Sequence, residues 1–355
     1  MKVTPQELAI RLYWPLDLKI KWAVNRIAEF MIEVDGEVYN CFSGGKDSRT
    51  VLDLIEGIYD GRYKHHLPTH IYQKVISHQK PPNIFCNTGL EFPEIVTYVK
   101  SFDRVRILKP KMGFTKVIKE VGVAVGSKKI AMMIRRLKGY IANPQLSNAA
   151  TKNLYLNGIK QDGSISIGSM LPKRWRKLLD APFLVSDQCC DIFKKEPFRR
   201  FEDETGKRPI IGTTVGESAQ RKISYYITGC NSFEAGKEKC RPISIWTEKD
   251  VWDYANLHHV KHCEVYYDRV KMVEQIDGSF IERYLPGEKG TGCLFCQFGI
   301  HMDDKKKNNR IQRLAISHPK YYDIVINKCN LKEVMIFCGI PYKPMSEVGT
   351  QTKLL

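Results

Sequence analysis

The stretch Phe42-Ser43-Gly44-Gly45-Lys46-Asp47-Ser48 decides how the rest of this chain is read. Glu37–Phe42 before it reads as a short buried strand, and Thr50–Ile55 after it reads as the start of a helix. A strand, a Ser/Gly/Gly turn and a helix N-terminus aim several backbone N–H groups at one point. The glycines let an anion approach the backbone, the helix dipole favours negative charge, and Lys46 adds a point charge. The spacing is not that of the Walker loop, which places four residues between its first Gly and its Gly-Lys pair.

Outward from this loop the pattern alternates. Strands are expected at Pro82–Cys86 and Val105–Leu108, with a helix beginning near Pro93. The pattern resumes at Arg208–Thr213, then at Pro242–Trp246 and a helix opening at Thr247. Strands alternating with helices predict an α/β fold: a doubly wound, mostly parallel sheet with its ligand at the carboxyl ends of the strands. Residues 1–35 form an amphipathic helical segment, 36–258 the nucleotide-binding α/β domain, and 259–355 a mostly helical, cysteine-containing C-terminal region. Within the second, 130–170 mix a basic helix with the polar stretch Asn157–Ser164, which has the composition of an insertion or lid.

The chain has 355 residues, 43% of them hydrophobic, enough for one large core or two moderate ones. It has no apolar run near 18 residues and no signal-peptide pattern after Met1, so no membrane partner is expected and a cytoplasmic location is. In that compartment the eleven cysteines point to metal ligands or reactive thiols rather than disulfides. A net charge of +17 favours polyanionic partners, nucleotides first and nucleic acid next, although a basic surface with no such role has the same composition. Trp175, inside the cluster Lys173-Arg174-Trp175-Arg176-Lys177, suits base stacking.

Cys189-Cys190 and Cys293-Leu294-Phe295-Cys296 are the second signal. Four thiolates in two pairs close either a tetrahedral zinc site or a [4Fe–4S] site, and CxxC alone also serves as a redox pair. The other cysteines read as small buried hydrophobes, with Cys230 and Cys240 flanking the nucleotide region.

Ser43–Ser48 resembles the SGGxDS PP-loop of the N-type ATP pyrophosphatases, and the paired cysteines resemble the cluster signature of assimilatory adenylyl-sulfate reductases. Cys86–Glu94 resembles the DTGxEFPE element of the PAPS-reductase-like family, with Asn87 in place of Asp. Gly212–Arg221 resembles its GxRxxES..R element, and Arg241–Trp252 its RPI..WT..DVW segment. From about Pro15 to Pro341 the chain is therefore similar to this family.

The resemblance implies ATP or a sulfonucleotide held by Ser43, Gly44, Gly45, Lys46, Asp47, Ser48, Thr88, Gly89, Glu91, Gly212, Glu217, Ser218 and Arg221. It implies catalytic roles for Lys46, Asp47, Arg221, Arg241 and Lys128, with Mg2+ as a further candidate. A [4Fe–4S] cluster on Cys189, Cys190, Cys293 and Cys296, or zinc as the lesser alternative, completes the site.

Two chemistries compete within the family. Sulfonucleotide reductases carry a nucleophilic cysteine in a C-terminal ECGLH-like motif, which this chain lacks, and they usually lack the complete SGGKDS present here. DndC-type DNA sulfur-modification proteins and tRNA-thiolating enzymes instead use ATP to activate an acceptor, then replace its oxygen with sulfur. The intact loop, the basic surface and the cysteines favour ATP-dependent sulfur transfer, with nucleic acid as a candidate acceptor and a sulfur- or electron-donor protein as partner. Adenylyl-sulfate or phosphoadenylyl-sulfate reduction is the alternative, and a non-catalytic nucleotide-sensing or DNA-binding subunit the second alternative. Oligomeric state is not legible.

Overall fold

The computed structural model describes residues 2–345. Its centre is a sheet of six short strands: β1 (Val38–Cys41), β2 (Asn83–Cys86), β3 (Val105–Leu108), β4 (Arg208–Ile211), β5 (Asn231–Ser232) and β6 (Lys239–Cys240). Their order is β3-β2-β1-β4-β6-β5, parallel except where β5 meets β6. The expected α/β architecture is the observed one.

The order fixes where a ligand fits. From β1 the chain crosses to β2 on one side and later returns to β4 on the other. The loops leaving β1 and β4 therefore diverge and open a crevice at their carboxyl ends, the usual ligand position in such sheets. Ser43–Gly45 leaves β1 and Gly212–Thr214 leaves β4.

Helices pack both faces. Under Leu16–Glu33, Lys46–Tyr59 and Glu248–Leu257, one core gathers Ile27, Phe30, Val51, Ile55, Trp246 and Tyr254. On the other face, Phe42, Leu52, Phe85 and Phe193 join the helix Lys128–Ala142 and the C-terminal helices. Val51 and Leu52 enter opposite cores, so the helix after the phosphate loop is clamped from two sides. That rigidity holds its N-terminus in place.

A buried ion pair fastens the N-terminal helix to this frame. Lys19 Nζ lies 2.6 Å from Asp250 Oδ2, with side chains 2% and 13% exposed. Asp250 also closes the capping box of Glu248–Leu257 with Thr247. Asp250→Ala leaves Lys19 buried and uncompensated and uncaps a helix, so a loss of about 3–5 kcal/mol is expected in denaturant unfolding.

One expectation is corrected here. Pro242–Trp246, taken with the alternating pattern, is a buried turn, and the strand lies just before it at β6. Beside its helices the C-terminal region carries an antiparallel hairpin of β7 (Arg269–Glu274) and β8 (Phe280–Leu285). Its turn carries Asp277-Gly278, with Gly278 at φ +87°, a conformation glycine adopts freely. No described helix is long and apolar enough to cross a membrane.

Candidate active site

The phosphate loop is shaped by its own side chains. Gly44 turns the chain at φ +73°, and a Cβ there would meet Val99 at 2.6 Å, so this position requires glycine. Ser48 Oγ accepts from the Ser43 amide at 3.2 Å and donates to the Gly45 carbonyl at 2.9 Å. The helix Lys46–Tyr59 starts at Gly45 with no side-chain cap, which leaves its first amides to other acceptors. Gly212 serves by contact: a Cβ on it would lie 2.7 Å from the Asp47 carbonyl and the Ser48 amide. The end of β4 thus packs directly on the first turn of that helix.

Charges converge on the same turn. Lys46 Nζ sits 3.5 Å from Glu248 and donates to the Lys289 carbonyl at 3.2 Å. Burial, with Glu217 and Glu248, raises Asp47 from its ordinary value, against the pull of Lys46 and Arg221. Glu217 pairs with Arg221 at 3.1 Å and caps the Thr214 amide at 2.8 Å. Ser218 caps the helix Ala219–Thr228 by accepting from the Arg221 amide. Glu217 and Ser218 therefore build the turn that presents Arg221.

Two other basic residues have further partners. Arg241 donates to Ser224 Oγ and Thr228 Oγ1 and to the Gly229 carbonyl, which ties it to the end of the helix Ala219–Thr228. Lys128 lies near Cys190 and helps to lower its thiol, so it faces the cysteines.

The turn after β2 is satisfied internally. Thr88 donates to Glu91 through its amide at 3.0 Å and its hydroxyl at 2.7 Å, and Asn87 Oδ1 accepts from the Gly89 amide at 3.0 Å. Asn87 makes an Asx turn that an aspartate would make equally well, which accounts for the departure from the family pattern. The Leu294 amide donates to the Leu90 carbonyl at 2.7 Å, joining this turn to the CxxC segment.

Cys189, Cys190, Cys293 and Cys296 line one pocket, with Phe114, Phe193, Phe295, Lys194 and Gln297 in its wall. Of the adjacent pair, Cys190 is lowered by a hydrogen bond from Cys189 and by Lys128 and Lys194, while Cys189 is pushed up. Burial pushes Cys293 up to about 11. Lys194 and Glu91 both stand near Cys293. Gln297 is 2% exposed, and neither amide atom has a hydrogen-bond partner.

Among the described residues, no three His, Cys, Asp or Glu side chains form a group that could hold a metal ion. The thiols share a pocket without closing a coordination sphere. Their chemistry nonetheless suits an anionic iron–sulfur group: four soft donors, two flanking lysines and an orphaned amide whose N–H would find sulfur acceptors.

Sequence reasoning missed Tyr266, Lys289 and Thr291. Tyr266 Oη accepts from the Lys46 amide at 3.2 Å and shares a hydrogen bond with Thr291 Oγ1 at 2.7 Å. No motif signals these residues, since only the fold brings them to the phosphate loop. Trp175 is corrected: it is 2% exposed and packed edge-on against His301 at 5.0 Å, so its ring is buried and not presented for stacking. Cys230 and Cys240 are buried hydrophobes, the first accepting from the Trp22 indole at 3.4 Å.

Residues 148–278 match the family model "Phosphoadenosine phosphosulfate reductase domain". The matched segment holds β4, Glu217–Arg221 and Arg241–Trp252, and leaves the phosphate loop and CxxC outside it. No curated protein matched the sequence. The crystal structure of phosphoadenylyl-sulfate (PAPS) reductase from Candida auris, in a phosphate complex, aligns over 75% of this chain and 92% of its own. The identity is 14% and the TM-score 0.34. The domain match shows a segment similar to the phosphoadenosine phosphosulfate reductase domain over 148–278, set in an α/β sheet with the phosphate loop at its switch point.

Proposed function

We propose that the chain binds ATP at Ser43–Ser48, adenylates an acceptor, and replaces the activated oxygen with sulfur drawn through the four-cysteine pocket. The observation that carries this is a short connection. Thr291 touches the phosphate loop through Tyr266, and a Cβ on Gly45 would lie 3.4 Å from its hydroxyl. Cys293 follows Thr291 by two residues, within about 7 Å along the backbone. A nucleotide held by the loop and a sulfur atom held by CxxC would then be neighbours.

The first step is displacement at the α-phosphorus. An acceptor oxygen forms the new P–O bond, and pyrophosphate leaves with the electron pair of the bond it breaks. Lys46 and Arg221 neutralise the charge that develops, and a Mg2+ ion bound with the nucleotide would add Lewis-acid stabilisation. In the second step a sulfide-level donor attacks the activated carbon, AMP departs with the C–O electron pair, and the acceptor keeps sulfur.

Cys189, Cys190, Cys293 and Cys296 would hold a [4Fe–4S] cluster, which supplies a site for sulfur or electrons when bound. Lys128 and Lys194 would balance its negative charge, and the unpartnered Gln297 amide would offer it an N–H. A nucleic acid is the favoured acceptor class, given the net charge of +17.

Reduction of a sulfonucleotide is the second reading, favoured by the family match. It needs an accessible thiol late in the chain. Cys329 and Cys338, the candidates, are each 6% exposed, and burial raises both thiols. Anaerobic protein incubated separately with ATP and with each sulfonucleotide separates the readings. Lys46-dependent pyrophosphate from ATP is expected. Sulfite from a sulfonucleotide, lost in Cys329→Ser or Cys338→Ser, would replace adenylation with reduction.

A further inference from the structure

The segment Gly287–Gly292 runs from the end of β8 to CxxC and lies across the phosphate loop. The Glu288 amide donates to the Val265 carbonyl at 2.8 Å, and the Gly287 amide donates to Asp268 Oδ1 at 2.8 Å. Arg313 grips Glu288 with two nitrogens at 3.2 and 3.0 Å. This strap then reaches the loop at two points: the Lys289 carbonyl takes the ammonium of Lys46, and Thr291 takes the hydroxyl of Tyr266.

The amide of Lys46 is thus engaged by Tyr266, which is bonded to the strap, and its ammonium by the strap itself and by Glu248. Its amide N–H goes to Tyr266 Oη and its side chain goes to Lys289, while its ammonium also lies 5.7 Å from the centre of the Tyr266 ring. These are the donors that the loop directs at phosphate. Tyr266 is itself anchored: it is 8% exposed and packs edge-on against Trp252 and His262. A phosphate oxygen and Tyr266 Oη compete for one N–H, and the hydroxyl that yields it is bonded to the strap two residues before Cys293.

We infer that Tyr266 is a positioning residue that couples phosphate at Lys46 to the strap carrying Cys293. Phosphate takes the Lys46 amide and ammonium, and Tyr266 and Lys289 release them together. The Tyr266–Thr291 hydrogen bond transmits the change to the strap. This rests on the proposed binding of ATP at the loop, but it concerns which atoms respond to binding and not the reaction that follows.

Hydrogen–deuterium exchange of the full chain, with and without saturating ATP, tests it. In the wild type, ATP is expected to protect peptides spanning 43–50 and to change exchange across 287–293. In Tyr266→Phe, which keeps the packed ring, and in Thr291→Val, which keeps the shape, protection at 43–50 persists and the response across 287–293 is lost. An unchanged strap response in both variants overturns the coupling. So does a wild-type strap that ignores ATP while 43–50 responds. No protection at 43–50 in the wild type overturns the nucleotide reading itself, and the coupling with it.

Discussion

Lys46→Ala is expected to cut ATP-dependent pyrophosphate release by at least about a hundredfold, with the fold intact. One preorganised positive group aimed at developing charge contributes roughly 3–4 kcal/mol to such a step. Lys46 meets that description: it opens the helix at the switch point, its side chain is held within reach of Glu248 and Lys289, and its amide heads the first turn. Alanine preserves the helix, since it is the strongest helix former, so the thermal midpoint should move little. A Lys46→Ala protein that releases pyrophosphate at the wild-type rate would remove Lys46 from the chemistry.

The second large effect is expected at Cys293. Cys293→Ser removes one of four soft donors from the pocket, and the anaerobically purified variant should lose most of its iron, its sulfide and its brown colour. Cys329→Ser is the matched control. Cys329 is also buried, but its neighbour is Thr115 at 3.9 Å and it stands outside that pocket. Its colour should survive. Equal loss in the two variants would mean that folding, not coordination, holds the colour. A wild type that carries neither iron nor sulfide would remove the cluster from the account.

Much of the architecture is legible before any coordinates, and the reason is periodicity. Val105–Leu108 and the helix start at Pro93 coincide with the elements read from sequence, because local pattern and long-range packing agree there. Pro242–Trp246 breaks this agreement: a buried apolar run looks the same in a strand and in a packed turn. The hairpin β7–β8 was legible in Asp277-Gly278 with alternating residues on either side, a turn signal outweighed by the helical pattern around it.

The site divides along a similar line. Ser43–Ser48 and the paired cysteines stand out because their chemistry depends on local spacing. Arg241 and Lys128 were named by type and motif, but the role of a cation depends on what faces it. Arg241 faces a helix end, and Lys128 faces Cys190. Trp175 shows the same limit: flanking basic residues say nothing about burial. Tyr266, Lys289 and Thr291 lie more than 200 residues from the loop they meet, and no local pattern encodes that meeting.

The central claim is that nucleotide and sulfur chemistry share one site, joined by the strap between Thr291 and Cys293. Visible circular dichroism of the anaerobic protein, titrated with ATP, tests it most directly. Bands between iron and the thiolates of the pocket should change saturably with ATP in the wild type and stay fixed in Lys46→Ala. Visible bands indifferent to saturating ATP in a wild type that binds it, or a protein with no such bands at all, would contradict the account.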